Sequence, residues 1–166
     1  MNLEEAKTLV EYNSWANHRV LLKADHLDPG QLNTEAGLSY GSVMATLLHI
    51  LDTQWYWREG AQYGNLPMER LNASEFRDVG TLKIRWKQED QLLLDFVNNL
   101  PAQELDGLVS YKWPQARPRQ RPLWHILQHM VNHGTHHRSE IGWYLSTLGQ
   151  SPGDLDFIIY LSRARH

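Results

Sequence analysis

At 166 residues and a net charge of −3, the chain has the size of one ordinary domain (residues 1–166) and enough length to bury a real core. The mildly acidic balance and the lack of any basic run argue against nucleic acid as the main partner, and no apolar stretch approaches the roughly 18 residues of a membrane span. The sequence has no cysteine, which excludes disulfides and thiolate metal ligands and leaves His, Asp, Glu and water as the only options for a metal.

The start, MNLEEAKTLVEYNSW, is acidic and amphipathic rather than a positively charged leader with an apolar run, so a cytoplasmic protein is expected. A first helix is predicted from Asn2 to about His26, with Asn2 as cap and Glu4 and Glu5 in the first turn. Its inner stripe is Leu3, Ala6, Val10, Asn13, Asn17, Val20 or Leu21, and Ala24. Asn13 and Asn17 stand one turn apart in that stripe. They read either as an edge touching a neighbouring helix or as the wall of a site whose amides orient a ligand. Asp28-Pro29-Gly30 is turn chemistry, and a connector follows over residues 31–40.

A second helix is predicted from about Ser42 to Glu59. Asp52 is its only charge before Arg58, so it should be covered on most sides, by the bundle and by a partner subunit. Ser42, Thr46, His49 and Thr53 form a polar stripe in it, which makes His49 a candidate ligand or a hydrogen-bonded core histidine. Residues 60–73 read as a loop through Gly64, Asn65 and Pro67. A third helix spans Thr81 to Leu100, with a possible start near Ala73. Leu82, Trp86, Leu93, Phe96, Val97 and Leu100 form its core face. Leu108 to Trp113 alternates like a short strand, and the PQARPRQRP that follows allows a small hairpin. Arg117, Arg119 and Arg121 there could bind an anion or simply be solvated.

The fourth helix, from about Pro122 to Gly149, carries HILQHMVNHGTHH. His129, His133 and His137 are spaced four apart and therefore stack along one side. At helical periodicity His133 and His137 fall in a stripe with Ile126, Met130, Ile141, Tyr144 and Leu148, with His129 and Glu140 at its edge. His125 and His136 point away with Asn132. An i, i+4 pair of imidazoles on an apolar face can hold a divalent metal, or it can be satisfied by neighbouring helices. The residue after His133 is Gly134 and not Glu, which argues against metalloprotease chemistry. Leu148-Gly149-Gln150-Ser151-Pro152 stops the helix. Asp154 to Arg163 is a short last helix, with Leu155, Ile158, Ile159 and Leu161 expected to cover one end. The fold expected is all-α: a four-helix bundle with crossover connections. Seven Trp and seven Tyr point to an aromatic core, a lined pocket or an interface.

YNSWANHRVL, SYGSVMATLLHILDTQWYW, HMVNHGTHHRSEIGWYLSTLG and LDFIIYL together resemble the DinB (DinB/YfiT-like) family of four-helix-bundle metalloproteins over nearly the whole chain. The resemblance implies a metal site made of His49 with the His133 and His137 pair. It implies a divalent ion, zinc or nickel most often, and a homodimer. Relatives of this kind include metal-dependent isomerases and transferases that work with low-molecular-weight thiols. The leading expectation is thus an enzyme for a small-molecule substrate, with a metal on His49, His133 and His137. His129, Asn13, Asn17 and Glu140 are then candidates for supporting or substrate-contacting roles. The alternatives are a hydrolase using metal-bound water, a non-catalytic dimeric module stabilised by a metal closed with His129 or Glu140, and a metal-free bundle.

Overall fold

The computed structural model describes residues 1–112 and 117–163, and four long helices dominate it. Helix α1 (Leu3–Ala24) starts on a reciprocal cap: Asn2 Oδ1 accepts from the Glu5 amide at 2.8 Å while Glu5 Oε2 accepts from the Asn2 amide at 2.9 Å. The Asp-Pro-Gly stretch, read as a turn, opens instead a one-turn helix, α2 (Pro29–Asn33), because Asp28 caps it and Pro29 sits in its first turn. Helix α3 (Val43–Tyr63) is capped by Ser42 and runs past the expected end at Glu59 to Gly64, whose φ of +79° provides the left-handed stop. Helix α4 (Val79–Asn98) starts from an Asp78–Thr81 capping box, so Ala73–Glu75 is a separate 3₁₀ turn.

The expected hairpin forms. Strand β1 (Leu108–Tyr111) pairs antiparallel with β2 (Arg119–Pro122), Leu108 opposite Pro122 and Tyr111 opposite Arg119. Trp113, expected in the first strand, lies outside the described residues. Helix α5 (Leu123–Thr147) follows directly, and α6 (Phe157–Arg163) ends the described chain. Among the described residues no helix is long and apolar enough to cross a membrane.

Helices α1 and α3 each pack against both α4 and α5. The chain therefore crosses the bundle diagonally from α1 to α3 and again from α4 to α5, in keeping with the two long connectors. Apolar side chains fill the two halves separately. One half holds Val20, Leu47, Leu51, Leu82, Trp86 and Ile141, the other Val10, Trp57, Leu93, Val97, Leu127 and Met130.

Between the halves lies a buried polar layer drawn from every long helix. Arg138 of α5 donates through Nη1 to Asn13 Oδ1 and Asn17 Oδ1 of α1, both at 2.7 Å, and through Nη2 to Thr135 Oγ1 at 2.9 Å. Asn13 Nδ2 donates to Gln54 Oε1 of α3 at 2.9 Å, and Gln54 Nε2 to Asp90 Oδ1 of α4 at 2.8 Å. Ser14 Oγ completes the chain on Asp90 Oδ2 at 2.7 Å. The amides of Asn13 and Asn17 are thus committed to Arg138 and Gln54, which corrects the reading of them as the wall of a metal site.

Gly134 lets Arg138 fold back along its own helix. A Cβ at this position would collide with Arg138 Nη1 and stand 2.9 Å from Asn13 Oδ1. Gly→Ala inside a helix ordinarily gains about 1 kcal/mol from propensity. Here Gly134→Ala is expected to lose about 1–3 kcal/mol by overpacking, read as a lower midpoint in urea unfolding.

Helix α6 uses aromatic residues more than the expected aliphatic ones. Phe157 meets Tyr12 edge-on at 5.1 Å, Tyr12 Oη donates to the Leu155 carbonyl at 3.0 Å, and Ile158 is left 66% exposed.

Candidate metal centre

His49 comes from the second turn of α3, and His133 and His137 come from successive turns of α5. The packing of α3 against α5 brings them together. His49 Nε2 lies 2.8 Å from His133 Nε2, and one ring nitrogen from each of the three residues falls within 4.8 Å of the others. Nitrogens sharing a tetrahedral zinc at about 2.0–2.1 Å stand about 3.3 Å apart. The His49–His133 spacing is shorter than that, so those two rings would need to part by about half an ångström to share an ion. His137 is buried and the other two are half-buried.

The buried face of α5 is rotated from the expected stripe. Leu127, Gly134, Arg138, Ile141 and Leu145 lie at its centre, which leaves His133 and His137 on the flank that meets α3. His125, His136 and Asn132 are exposed, as expected. His129 is exposed at the edge, with its ring 5.8 Å from that of His133 and 5.5 Å from that of Trp57.

Glu140 stands behind His137. Its Oε2 is 3.0 Å from His137 Nδ1, and its Oε1 accepts from Ser39 Oγ. Burial opposes the charge on Glu140, but the hydrogen bonds from Ser39 and His137 outweigh it and hold the carboxyl below its usual range. A carboxylate on Nδ1 fixes the tautomer with the proton there and leaves Nε2 with a free lone pair, the arrangement that orients metal-ligating histidines. The same Glu140 also lies 3.4 Å from the exposed His136, and His136, His137 and Glu140 form a second cluster of potential ligands.

The connector before α3 adds two residues that periodicity could not find. Ser39 holds Glu140, and Tyr40 stacks on His49 with ring centroids 3.6 Å apart and planes 19° off parallel. One turn along α3 from His49, Asp52 is buried. Its Oδ1 accepts from the Leu71 amide at 2.9 Å and its Oδ2 from Arg70 Nε at 2.6 Å. Arg117, Arg119 and Arg121 are exposed on the hairpin.

Burial pushes the His49 imidazole down to about 4, aided by His137 and by the positive charge of Arg70. Burial also pushes His133 down to about 3, aided by His49 and His137. Both rings are therefore neutral at pH 7, the state a metal ligand needs. Below pH 6.5 the unfolded chain takes up protons that the folded rings refuse, so the metal-free fold loses stability as pH falls from about 6.5 toward 4. Burial raises the Asp90 carboxyl, which acts in the opposite sense above its ordinary value. Calorimetry of metal-stripped protein should show a falling Tm across this window, flattened by His133→Ala.

No curated protein matches the chain. The sequence model of the DinB family matches residues 1–165. With a mostly helical bundle and a histidine cluster in keeping with that match, the chain belongs to the DinB family.

Proposed function

We propose that this protein binds one divalent metal ion through His49, His133 and His137 and acts as a metal-dependent enzyme on a small-molecule substrate, with thiol-dependent transferase or isomerase chemistry. The observation that carries the reading is the gathering of one ring nitrogen from each of His49, His133 and His137 within 4.8 Å, with His137 Nδ1 committed to Glu140 so that Nε2 is the nitrogen left for an ion. Three imidazoles would keep a coordination position open, where the ion supplies Lewis acidity toward a thiolate or a substrate oxygen. Because Glu140 is held between Ser39 and His137, it supports the site from behind. That placement favours an open centre over one closed by a fourth protein ligand. Tyr40 covers one face of His49 and restricts water there.

Imidazole ligands suit zinc and nickel alike, so the donor set leaves that choice open. The test is metal analysis of tag-free protein after stripping and reconstitution with zinc, nickel and manganese, followed by assays on electrophiles with and without cellular thiols. One ion per chain, with thiol-dependent turnover lost in His49→Ala, is the expected result. Failure to bind any of the three ions overturns the proposal, while turnover without thiol shifts it to a hydrolase.

Homodimerisation and cytoplasmic residence belong to the same proposal. Ile84 and Leu92 are exposed on α4. A groove of about 700 Å³ between α1 and α4, lined by Trp15, Ile84 and Leu94, offers an apolar face to a second copy. Sedimentation at micromolar concentration reads this directly, and a monomer would count against it.

A further inference from the structure

Arg70 comes from the loop after α3 and folds back over that helix. Its Nε donates to Asp52 at 2.6 Å, and its guanidinium lies 4.1 Å from the Tyr56 ring centroid. Both partners are 8% exposed, so a long side chain is fixed at its base and along its plane. The Asp52 carboxylate is turned inward, with its other oxygen on the Leu71 amide. No described residue accepts a hydrogen bond from the terminal Nη1 or Nη2 of Arg70, and the side chain remains 46% exposed.

Its position relates it to the metal centre. His49, Asp52 and Tyr56 are three and four residues apart and so share one face of α3. At a rise of 1.5 Å per residue, Asp52 and Tyr56 place the guanidinium roughly 5–10 Å along the axis from His49. A loop staple would need only the Asp52 pair and the Tyr56 stack. The pair of unengaged amino groups, on a half-exposed side chain, has the fork geometry that meets a carboxylate with two parallel hydrogen bonds.

We propose that Arg70 is the specificity-determining anchor of the three-histidine site, selecting ligands that carry a carboxylate a few bonds from the group that reaches the metal. The assignment rests on the metal reading above and adds the substrate class to it.

The experiment uses cobalt-loaded protein. It is titrated with mercaptocarboxylates from 3-mercaptopropionate to 6-mercaptohexanoate, and with mercapto-alcohols of matching length, following the sulfur-to-cobalt absorption band. At the best length the wild type should bind the carboxylate roughly tenfold tighter at low salt. Arg70→Gln, which keeps a donor for Asp52, should reduce that preference to about twofold or less while leaving the cobalt spectrum without thiol unchanged. Arg70→Ala should behave likewise, and Arg70→Lys should retain part of the preference. Equal binding of acids and alcohols at every length, or a preference that survives in both Arg70→Gln and Arg70→Ala, overturns the anchor. If cobalt binds at one ion per chain and the preference is absent, only the anchor falls. If cobalt does not bind the wild type, the metal reading falls and takes the anchor with it.

Discussion

His137→Ala should reduce metal binding from one ion per chain to none detectable at micromolar metal. His137 is the buried member of the triad, and it links the other two to Glu140 and Ser39. Its loss leaves His49 and His133, which already satisfy one another at 2.8 Å and can relax into a metal-free hydrogen bond. The behaviour of Glu140→Gln separates ligation from support. A neutral amide can still meet Nδ1 but no longer fixes the tautomer or raises the basicity of the ring. Affinity should then fall roughly ten- to hundredfold while stoichiometry at saturating metal stays the same. Competition titration with a chromophoric chelator measures both. Unchanged affinity in Glu140→Gln would show that the carboxylate does not tune the site.

Glu89→Ala should cost about 3 kcal/mol, because it takes from a buried cation its only fully buried partner and leaves it Glu59 at 2.8 Å and Gln62 at 2.9 Å, both nearer the surface. Glu89 is fully buried on α4 and accepts from Arg58 Nε at 2.5 Å and Nη2 at 2.9 Å, with Arg85 Nη1 at 3.2 Å. Arg58, 1% exposed, is kept charged because its bonds to Glu89, and after them the bond to Glu59, outweigh the burial that opposes its charge. Glu89→Gln keeps the shape and one acceptor and should cost less, about 2 kcal/mol. The joint replacement Glu89→Leu with Arg58→Met should recover most of the loss, since a well-packed apolar pair often equals a buried ion pair. Urea unfolding at pH 7 reads all three. A Glu89→Ala cost below about 1 kcal/mol would mean that Glu59 and water together hold Arg58 in the folded state.

These two predictions differ in how far the sequence foretold them. The four-residue spacing of His133 and His137 is visible in the chain because a helix turns a fixed angle per residue, and His49 stood out as the one histidine in a nearly charge-free helix. Arg58, Glu89, Asp90 and Arg138 carry no such mark. A charged residue on a helix usually faces water, and only the meeting of partners distant in sequence makes its burial tolerable. Arg138 extended the buried face of α5 beyond the stripe that holds His137 for this reason. Ser39 and Tyr40 escaped because a connector has no period to read. Helix α2 was missed because Asp-Pro serves a turn and a helix start equally well.

The polar layer has a consequence for how the helices align. Sliding any one of them by a single turn, about 5.4 Å, would carry its amide, carboxylate or guanidinium into an aliphatic half and strand the partners left behind. Apolar side chains alone tolerate such slippage, since one leucine packs much like the next. Arg138, Asn13, Gln54 and Asp90 therefore work as a keyway that admits a single stacking of the four rods. The three histidines, contributed by two of those rods, inherit their mutual height from it.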